Sequence, residues 1–361
     1  MLDDYDFSGL VEPLLAWYPV HARSLPWRDE PTPYHVWVSE IMLQQTRVEA
    51  VKPFYARFME ALPDVAALAA CETDRLLKLW EGLGYYNRVR NMQLAARTVM
   101  EEYGGVIPSD YEELLKLKGI GRYTAAAIAS IAYNRPAAAV DGNVLRIVMR
   151  AAEDDSDIAR QQVRMRVEEA LRPVIPEGRA ASFTQAMMEL GATVCVPNGA
   201  PLCAQCPWEK LCLAHAHGTA EALPVKARPK ARRIEEKTVL VIRDGERVLL
   251  QKRPDEGLLA GMYELPWMEG YPPKRAVLDF VREKGLSPLR IQKLPEAKHI
   301  FSHVEWRMKG FALLVEEPSA EESFLFVKPS DSQERYAIPA AFARYARYMN
   351  IRIGQDRFLE E

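Results

Sequence analysis

The chain has 361 residues, more than the roughly 250–300 at which a single hydrophobic core stops growing, so two domains are expected. Its net charge of −3 excludes a globally basic, histone-like binder but leaves room for a basic face. No apolar run approaches the length of a transmembrane helix, and the acidic start MLDDYDFSGL lacks the features of a signal peptide, so we expect a soluble, cytoplasmic protein.

Helical periodicity dominates the first part of the chain, from residue 7 to about residue 217. Apolar residues recur there at three- and four-residue intervals, which is the spacing of one face of an α-helix. Helices are predicted at Tyr34–Leu43, Val48–Met59, Val89–Tyr103, Tyr123–Tyr133, Val144–Ala152 and Val163–Val174. We therefore predict an all-helical domain at residues 1–217.

An acidic residue interrupts the first of these helices. Glu40, in WVSEIMLQQTR, is flanked by Val38 and Ile41. A glutamate in such a stretch lies either on the solvated face, which is the usual arrangement, or in an apolar pocket. In a pocket its pKa rises, which suits a general acid.

The sequence KGIGRY separates the helical run YEELLKLK from the helix that contains Tyr123. Gly119 and Gly121 permit backbone conformations that other residues resist, and the N–H groups at the start of the following helix form a natural phosphate site. The segment from about residue 110 to 133 is thus typical of a helix–hairpin–helix motif, which holds a nucleic-acid backbone without reading its sequence. An ordinary turn is the alternative.

A second carboxylate lies between an apolar run and a helix in AVDGNVLRI. Asp141 is either a plain helix N-cap, which is the commoner role, or a functional group with Asn143 beside it. Two carboxylates in different environments, one protonated and one ionised, are the groups needed to break a glycosidic bond through an oxocarbenium-like state.

Four of the five cysteines fall within 18 residues, with the spacing C-x7-C-x2-C-x5-C: Cys195, Cys203, Cys206 and Cys212. Thiolates this close in sequence can surround one tetrahedral metal ion or a cubane cluster, and a cytosolic chain disfavours disulfides. The spacing predicts a metal site and leaves zinc and iron–sulfur equally open. The fifth cysteine, Cys71, is expected to be a buried apolar residue.

The chain changes character after residue 217. Residues 218–236 contain the basic, proline-containing sequence VKARPKARR and are predicted to be a linker. Beyond it the apolar period changes to two, which predicts a smaller α+β domain at residues 237–361. Its predicted elements are a β-hairpin with strands Thr238–Ile242 and Arg247–Gln251, a helix near Lys274–Lys284, strands at Trp306–Val315 and Phe324–Pro329, and a last helix at Pro339–Met349.

Together these motifs resemble the adenine-DNA glycosylases of the MutY type, which belong to the helix–hairpin–helix superfamily that includes endonuclease III. The resemblance rests on LPWR at Leu25–Arg28, SEIMLQQTRV at Ser39–Val48, WEGLGYYNRVRN at Trp80–Asn91, LKGIGRYTA at Leu117–Ala125, AVDGNV at Ala139–Val144 and the cysteine loop. It implies a multidomain fold, in which an all-α helix–hairpin–helix glycosylase domain with an iron–sulfur loop precedes an α+β Nudix-like domain.

The resemblance also implies a role for each matching residue. Glu40 matches the general acid that protonates adenine N7, and Asp141 matches the carboxylate that stabilises the sugar cation, with Asn143 arranging that site. The implied DNA contacts are Leu25, Trp27, Arg28 and Gln185 in the adenine pocket, and Gln45 and Tyr85 inserted into the duplex. A [4Fe–4S] cluster on the four cysteines is implied, although the family has six residues between the first two cysteines and this chain has seven, VPNGAPL.

Tyr123 stands where the relatives that also cut the DNA strand carry a lysine. A lysine amine forms a Schiff base with the sugar and so permits strand cleavage, which a tyrosine hydroxyl cannot do. The implied protein is a monomeric, monofunctional glycosylase of base excision repair, acting on nucleoid DNA. It flips out adenine mispaired with 8-oxoguanine or guanine and leaves an abasic site. Simple packing of Tyr123 is the alternative.

In the second domain the resemblance implies recognition of 8-oxoguanine by Phe301, Ser302 and His303, where the residues alone favour a surface turn. The segment VREKG at residues 281–285 offers one glutamate, whereas an active Nudix hydrolase needs several carboxylates for magnesium, so a binding domain is expected. Two rival functions remain: an endonuclease III-like glycosylase and lyase for oxidised pyrimidines, and a non-catalytic iron–sulfur DNA-binding protein.

Overall fold

A computed structural model describes residues 2–227, 231–318 and 324–349. Within them, helices lie at Val11–His21 (α1), Pro26–Asp29 (α2), Pro33–Leu43 (α3), Val48–Ala61 (α4), Val65–Ala70 (α5), Thr73–Leu79 (α6), Asn87–Glu102 (α7), Tyr111–Lys116 (α8), Arg122–Ala127 (α9), Gly142–Ala151 (α10), Gln161–Leu171 (α11), Ala180–Thr193 (α12), Leu213–Ala216 (α13), Lys274–Glu283 (α14), Pro329–Arg335 (α15) and Ala343–Ala346 (α16). The described strands lie at Arg233–Asp244 (β1), Arg247–Lys252 (β2), Tyr263–Glu264 (β3), Trp267–Glu269 (β4), Pro288–Ile300 (β5), Val304–Val315 (β6) and Leu325–Val327 (β7). None of the described helices has the length and apolar character needed to span a bilayer.

The chain forms two compact units, one of Met1–Ala70 with Asn91–Pro229 and the other of Cys71–Arg90 with Lys230–Glu361. A division at the linker alone would have missed that Cys71–Arg90 packs with the C-terminal sheet. Asp74 on α6, for example, accepts hydrogen bonds from Lys252 at 2.8 Å and from Tyr263 at 2.7 Å. Local periodicity carries no information about such long-range partners.

The predicted linker also ends earlier than expected. Strand β1 begins at Arg233, because Arg233–Glu236 pair in parallel with Val304–Arg307 of β6. Residues Arg233–Glu236 are mostly charged, and the strand they pair with lies about seventy residues further along the chain. The apolar period therefore did not predict a strand at this position.

In the first unit, α3 is the helix that matters most for the site. Thr32 caps it by accepting the N–H of His35 at 3.2 Å, and Pro33 occupies its first position. All residues from Val36 to Met42 are buried, which is typical of a helix that packs on every side. Glu40 therefore lies inside the unit and not on a solvated face.

The predicted helix–hairpin–helix is present as α8, a turn at residues 117–121, and α9, which continues as a π-helix at Ile128–Ala132. Gly119 has φ of +80°, and a Cβ there would lie 2.6 Å from Asn91 Cβ, so the turn requires glycine. The same expectation is wrong for Gly121. Its φ of −92° suits any residue, and the space beside it is open.

The second unit is built on a mixed seven-stranded sheet with the order β3-β2-β1-β6-β5, to which β4 and β7 add through β1 and β2. The predicted hairpin is present, with Asp244 opposite Arg247. Side chains alternate between two cores: Val239 and Val241 of β1 pack towards α16, whereas Leu240 and Ile242 pack towards α14.

Several elements of this unit differ from the prediction, among them α15, which was not predicted. The long strand β5 was not predicted, because it is an edge strand, mostly exposed, and its sequence PLRIQKLPEAKHI shows little apolar alternation. The expected last helix is divided into a 3-10 turn at Ala340–Phe342 and the short α16.

Candidate active site

A cavity of about 540 Å³ lies in the first unit, among α2, α3, α9, α10 and α12. It is bordered by nine predicted site residues, eight of them predicted for catalysis or adenine binding and Gln45 for insertion into the duplex: Leu25, Trp27, Arg28, Glu40, Gln45, Tyr123, Asp141, Asn143 and Gln185. The fold thus brings together side chains from five separate stretches of sequence. A cavity of this size holds a small organic ligand such as a nucleobase with its sugar.

Glu40 lies in this cavity with only 6% of its surface exposed, and its carboxyl accepts a hydrogen bond from the Tyr123 hydroxyl. Burial raises the pKa of Glu40 to about 7, an effect that the Tyr123 hydrogen bond opposes and the nearby Asp141 charge reinforces. Burial also raises the pKa of Tyr123 well above its ordinary value, so its hydroxyl stays protonated. Glu40 is therefore able to hold and release a proton near neutral pH.

Asp141 is both the N-cap of α10 and a wall of the cavity. Its Oδ1 accepts the Val144 N–H at 2.7 Å, and its Oδ2 accepts the Asn143 side-chain amide at 2.9 Å. Burial raises the pKa of Asp141, while these N–H donors and the positive Arg146 oppose the rise. Hydrogen bonds from N–H groups favour the carboxylate form of Asp141, whereas burial favours the protonated form of Glu40.

Arg146 stabilises the arrangement of Asp141 and Asn143 through hydrogen bonds. Its guanidinium donates to Asn143 Oδ1 at 2.9 Å, to the Gly191 carbonyl at 2.6 Å and to the Cys195 carbonyl at 2.7 Å. Helix α12 approaches so closely that a Cβ at Gly191 would lie 2.6 Å from Asn143 Cβ. Sequence reasoning gave Arg146 no role, although it follows Asn143 by three residues and so shares its helix face.

Glu189 is a second residue that sequence reasoning missed. It is fully buried on α12, where it accepts hydrogen bonds from Arg23 Nε at 2.6 Å and Arg28 Nη2 at 2.7 Å. The bond to Glu189 fixes Arg28 at the cavity wall. Gln185 borders the same cavity, and its Oε1 accepts a hydrogen bond from the Tyr18 hydroxyl at 3.3 Å. An available signal was its position within the apolar run AMMELGA, the same signal that singled out Glu40.

The second unit has a cavity of its own, of about 460 Å³. Four predicted DNA contacts border it: Tyr85, Phe301, Ser302 and His303. The hydroxyl of Tyr85 lies 3.0 Å from Ser302 Oγ, and Phe301 packs edge-on against Trp306 with ring centroids 4.9 Å apart. The segment is thus a surface turn with a packed phenylalanine, as its residues favour, and also the wall of a cavity.

The four clustered cysteines border one small cavity with mainly apolar neighbours, among them Trp208 and Leu190. Arg150 donates to Cys195 Sγ at 3.2 Å, and burial raises the pKa of the Cys206 thiol to about 12. Four thiols with an adjacent guanidinium are suitable donors for a thiolate-ligated group. Across the described residues, however, no three Cys, His, Asp or Glu side chains are close enough to chelate a single ion.

Comparison with known proteins divides the chain at the linker. The HhH-GPD superfamily of base excision DNA repair proteins matches residues 38–173, and the NUDIX domain matches residues 238–348. The adenine DNA glycosylase of Mus musculus is 35% identical over 376 residues, covering 88% of this chain and 73% of the relative. This chain belongs to the adenine DNA glycosylase family.

Other members of the adenine DNA glycosylase family match nearly as well. The enzyme of Buchnera aphidicola subsp. Baizongia pistaciae is 30% identical, over 81% of this chain and 82% of its own length. Among solved structures, a thermostable thymine-DNA glycosylase is 27% identical with a TM-score of 0.53, and it matches 58% of this chain over 96% of its own. The helical fold is therefore shared with a glycosylase that is named for a different base.

Proposed function

We propose that this chain removes adenine from mispaired double-stranded DNA in base excision repair, as a monomeric, monofunctional N-glycosylase acting on nucleoid DNA in the cytoplasm. The observation that carries the proposal is that two acids, the buried Glu40 and the half-buried Asp141, border one cavity with unequal hydrogen bonding. Membership of the adenine DNA glycosylase family supports adenine as the base.

In the proposed mechanism, adenine is flipped into the cavity between the apolar Leu25 and Trp27 and the polar Arg28 and Gln185. Glu40 donates its proton to N7, so the electron pair of the breaking C1′–N9 bond leaves on a neutral base. Asp141 stabilises the positive sugar electrostatically until water adds to C1′ and loses a proton. Tyr123 keeps the Glu40 carboxyl in place and, without an amine, forms no Schiff base.

We further propose that the partner base is 8-oxoguanine or, less selectively, guanine, and that it is read by Phe301, Ser302 and His303. The cavity beside these residues supports this, since it offers an aromatic face and two hydrogen-bonding side chains. The backbones of Gln45 and Tyr85 have φ of +61° and +50°, which is unfavourable for side-chain-bearing residues. Such strain is typical of functional loops and supports their insertion into the duplex.

A [4Fe–4S] cluster on Cys195, Cys203, Cys206 and Cys212 is part of the proposal. The four thiols and the Arg150 guanidinium fit such a group, and when bound it would hold the loop in one conformation. We expect four iron and four acid-labile sulfide ions per chain in protein purified without oxygen. Cys203→Ser is expected to lower both counts, whereas Cys71→Ser, outside the group, is expected to leave them unchanged.

Strand scission with and without alkali tests the proposed reaction. A labelled duplex with adenine opposite 8-oxoguanine is incubated with the protein, and we expect a break only after alkali, because base removal leaves an intact abasic strand. A break without alkali would support the endonuclease III-like alternative and contradict the role given to Tyr123. Binding without any break would support the non-catalytic alternative.

A further inference from the structure

A buried ion pair lies in the second unit, and the proposed mechanism does not use it. Lys78 is on α6 and Glu81 is in the turn that follows; their side chains are 9% and 1% exposed. Lys78 Nζ lies 2.8 Å from Glu81 Oε2. Burying two charges is costly unless both are well hydrogen-bonded, so the further contacts of this pair are informative.

Three hydrogen bonds connect the pair to one backbone segment, Ser332–Ile338. Lys78 Nζ donates to the carbonyl oxygens of Ser332 at 3.0 Å and Tyr336 at 2.9 Å, and Glu81 Oε1 accepts the Ile338 N–H at 2.7 Å. The segment runs directly into Pro339–Ala341, which borders the cavity of about 460 Å³. The pair therefore fixes the backbone that leads to one side of this cavity.

The residues that follow Glu81 form a short loop that ends at Tyr85. Trp80 Nε1 donates to the Gly84 carbonyl at 3.1 Å, and Arg88 donates to the carbonyls of Leu83 at 3.0 Å and Gly84 at 3.1 Å. The Arg88 guanidinium also lies over the Tyr85 ring, 5.5 Å from its centroid. The short loop between Glu81 and Tyr85 is thus hydrogen-bonded at several points, and Glu81 itself stands at its start.

We propose that Lys78 and Glu81 are positioning residues for discrimination of the base opposite adenine. They touch no substrate; they fix Tyr85 relative to Pro339–Ala341, which border the same cavity, and so define the space for the partner base. This inference rests on the proposed function. It follows from the way that hydrogen-bonded sites select among related bases, since a displaced wall leaves donors and acceptors unmatched.

The test compares two duplexes, with adenine opposite 8-oxoguanine and adenine opposite guanine, under single-turnover conditions. Lys78→Met removes the cation, and the double variant Lys78→Met/Glu81→Leu replaces the pair by apolar side chains of similar volume. We expect the ratio of the two excision rates to fall by roughly tenfold or more, since a misplacement of about 1 Å costs up to ~10²-fold. Excision opposite guanine should be little changed, because the adenine pocket is untouched.

Arg247→Met is the matched control, because it removes other ion pairs of the same unit, to Asp244 at 2.6 Å and Glu317 at 2.8 Å, and Arg247 does not border the cavity. Its rate ratio should equal that of the wild type even if its melting temperature falls. If Lys78→Met does not fold, the double variant carries the test, since it leaves no buried charge unpaired.

An unchanged ratio in the folded double variant, or an equal loss on both duplexes, would show that the pair is merely structural and overturn the inference. A wild-type chain that excises adenine from neither duplex would overturn the proposed function itself. The two failures are therefore distinguished by the wild-type rates alone.

Discussion

Glu40→Gln is expected to lower the single-turnover rate of adenine excision by about 10²–10⁴-fold, which is the usual contribution of a general acid. Glutamine keeps the size and polarity of the side chain but has no proton to donate to N7. DNA binding should persist, because Glu40 is inside the cavity and not on a phosphate-binding surface. The measurement is a single-turnover time course with excess protein, alongside the binding constant for the same duplex.

The pH dependence of the wild type supplies an independent check. Because the pKa of Glu40 is raised to about 7, the rate should fall as the pH rises above about 7. Glu49→Gln, the same change on an exposed side chain of α4, should leave the rate and its pH profile as in the wild type. Full activity of the Glu40→Gln protein would exclude Glu40 as the acid.

The same substitution has a stability consequence of defined sign. The pKa of Glu40 in the folded state is raised above its ordinary value of 4.5. Ionisation of Glu40 therefore leaves the free energy of unfolding unchanged below pH 4.5 and lowers it progressively up to about pH 7. Above that pH the cost reaches at most about 3 kcal/mol, at 1.36 kcal/mol for each pKa unit. Glu40→Gln should therefore unfold at higher denaturant concentration than the wild type at pH 8, and the difference should vanish at pH 4.

Asp141→Asn is the second variant for which a large loss is expected. Asparagine caps helices as well as aspartate does, so α10 should keep its start and the protein its stability. The negative charge that faces the sugar is lost, and removing one electrostatic group of this kind costs about 10²–10³-fold in rate. Single-turnover excision and thermal unfolding measured on the same preparation separate the two effects.

Asp64→Asn is the control, because Asp64 accepts the Ala67 N–H at 2.7 Å at the start of α5 and does not border the cavity. Both variants make the same chemical change at a helix start, but only Asp141→Asn should lose activity. Equal activity of the two proteins would assign Asp141 to helix capping alone.

Much of the helical unit could be predicted from the sequence, because its helices follow a single apolar period. The predicted Tyr34–Leu43 and Val48–Met59 differ from α3 and α4 by no more than two residues at any end. The period failed where an element is exposed on most sides, as in β5, or depends on a distant strand, as at Arg233. Neither an exposed strand nor pairing with a distant strand produces a recognisable apolar pattern in the local sequence.

The candidate site could be predicted from the sequence only in part. Glu40 and Asp141 were recognisable as unusual from their neighbours, but the choice between a pocket and a solvated face required the packing around α3. Arg146 and Glu189 also form hydrogen bonds to groups 45 and more residues away, so their local sequence could mark them as unusual but could not identify these partners. What the sequence identified was the chemistry; the supporting contacts required the structure.

The Lys78–Glu81 pair also limits how the chain can be dissected. A protein cut after His217 would keep both charges and lose the Ser332, Tyr336 and Ile338 backbone groups to which they bond. The loop between Glu81 and Tyr85 of such a fragment would start at an ion pair that has lost its backbone hydrogen-bond partners. An activity missing from the fragment would thus reflect a disturbed loop as well as an absent domain. Point substitutions within the 361-residue chain separate the two causes more clearly.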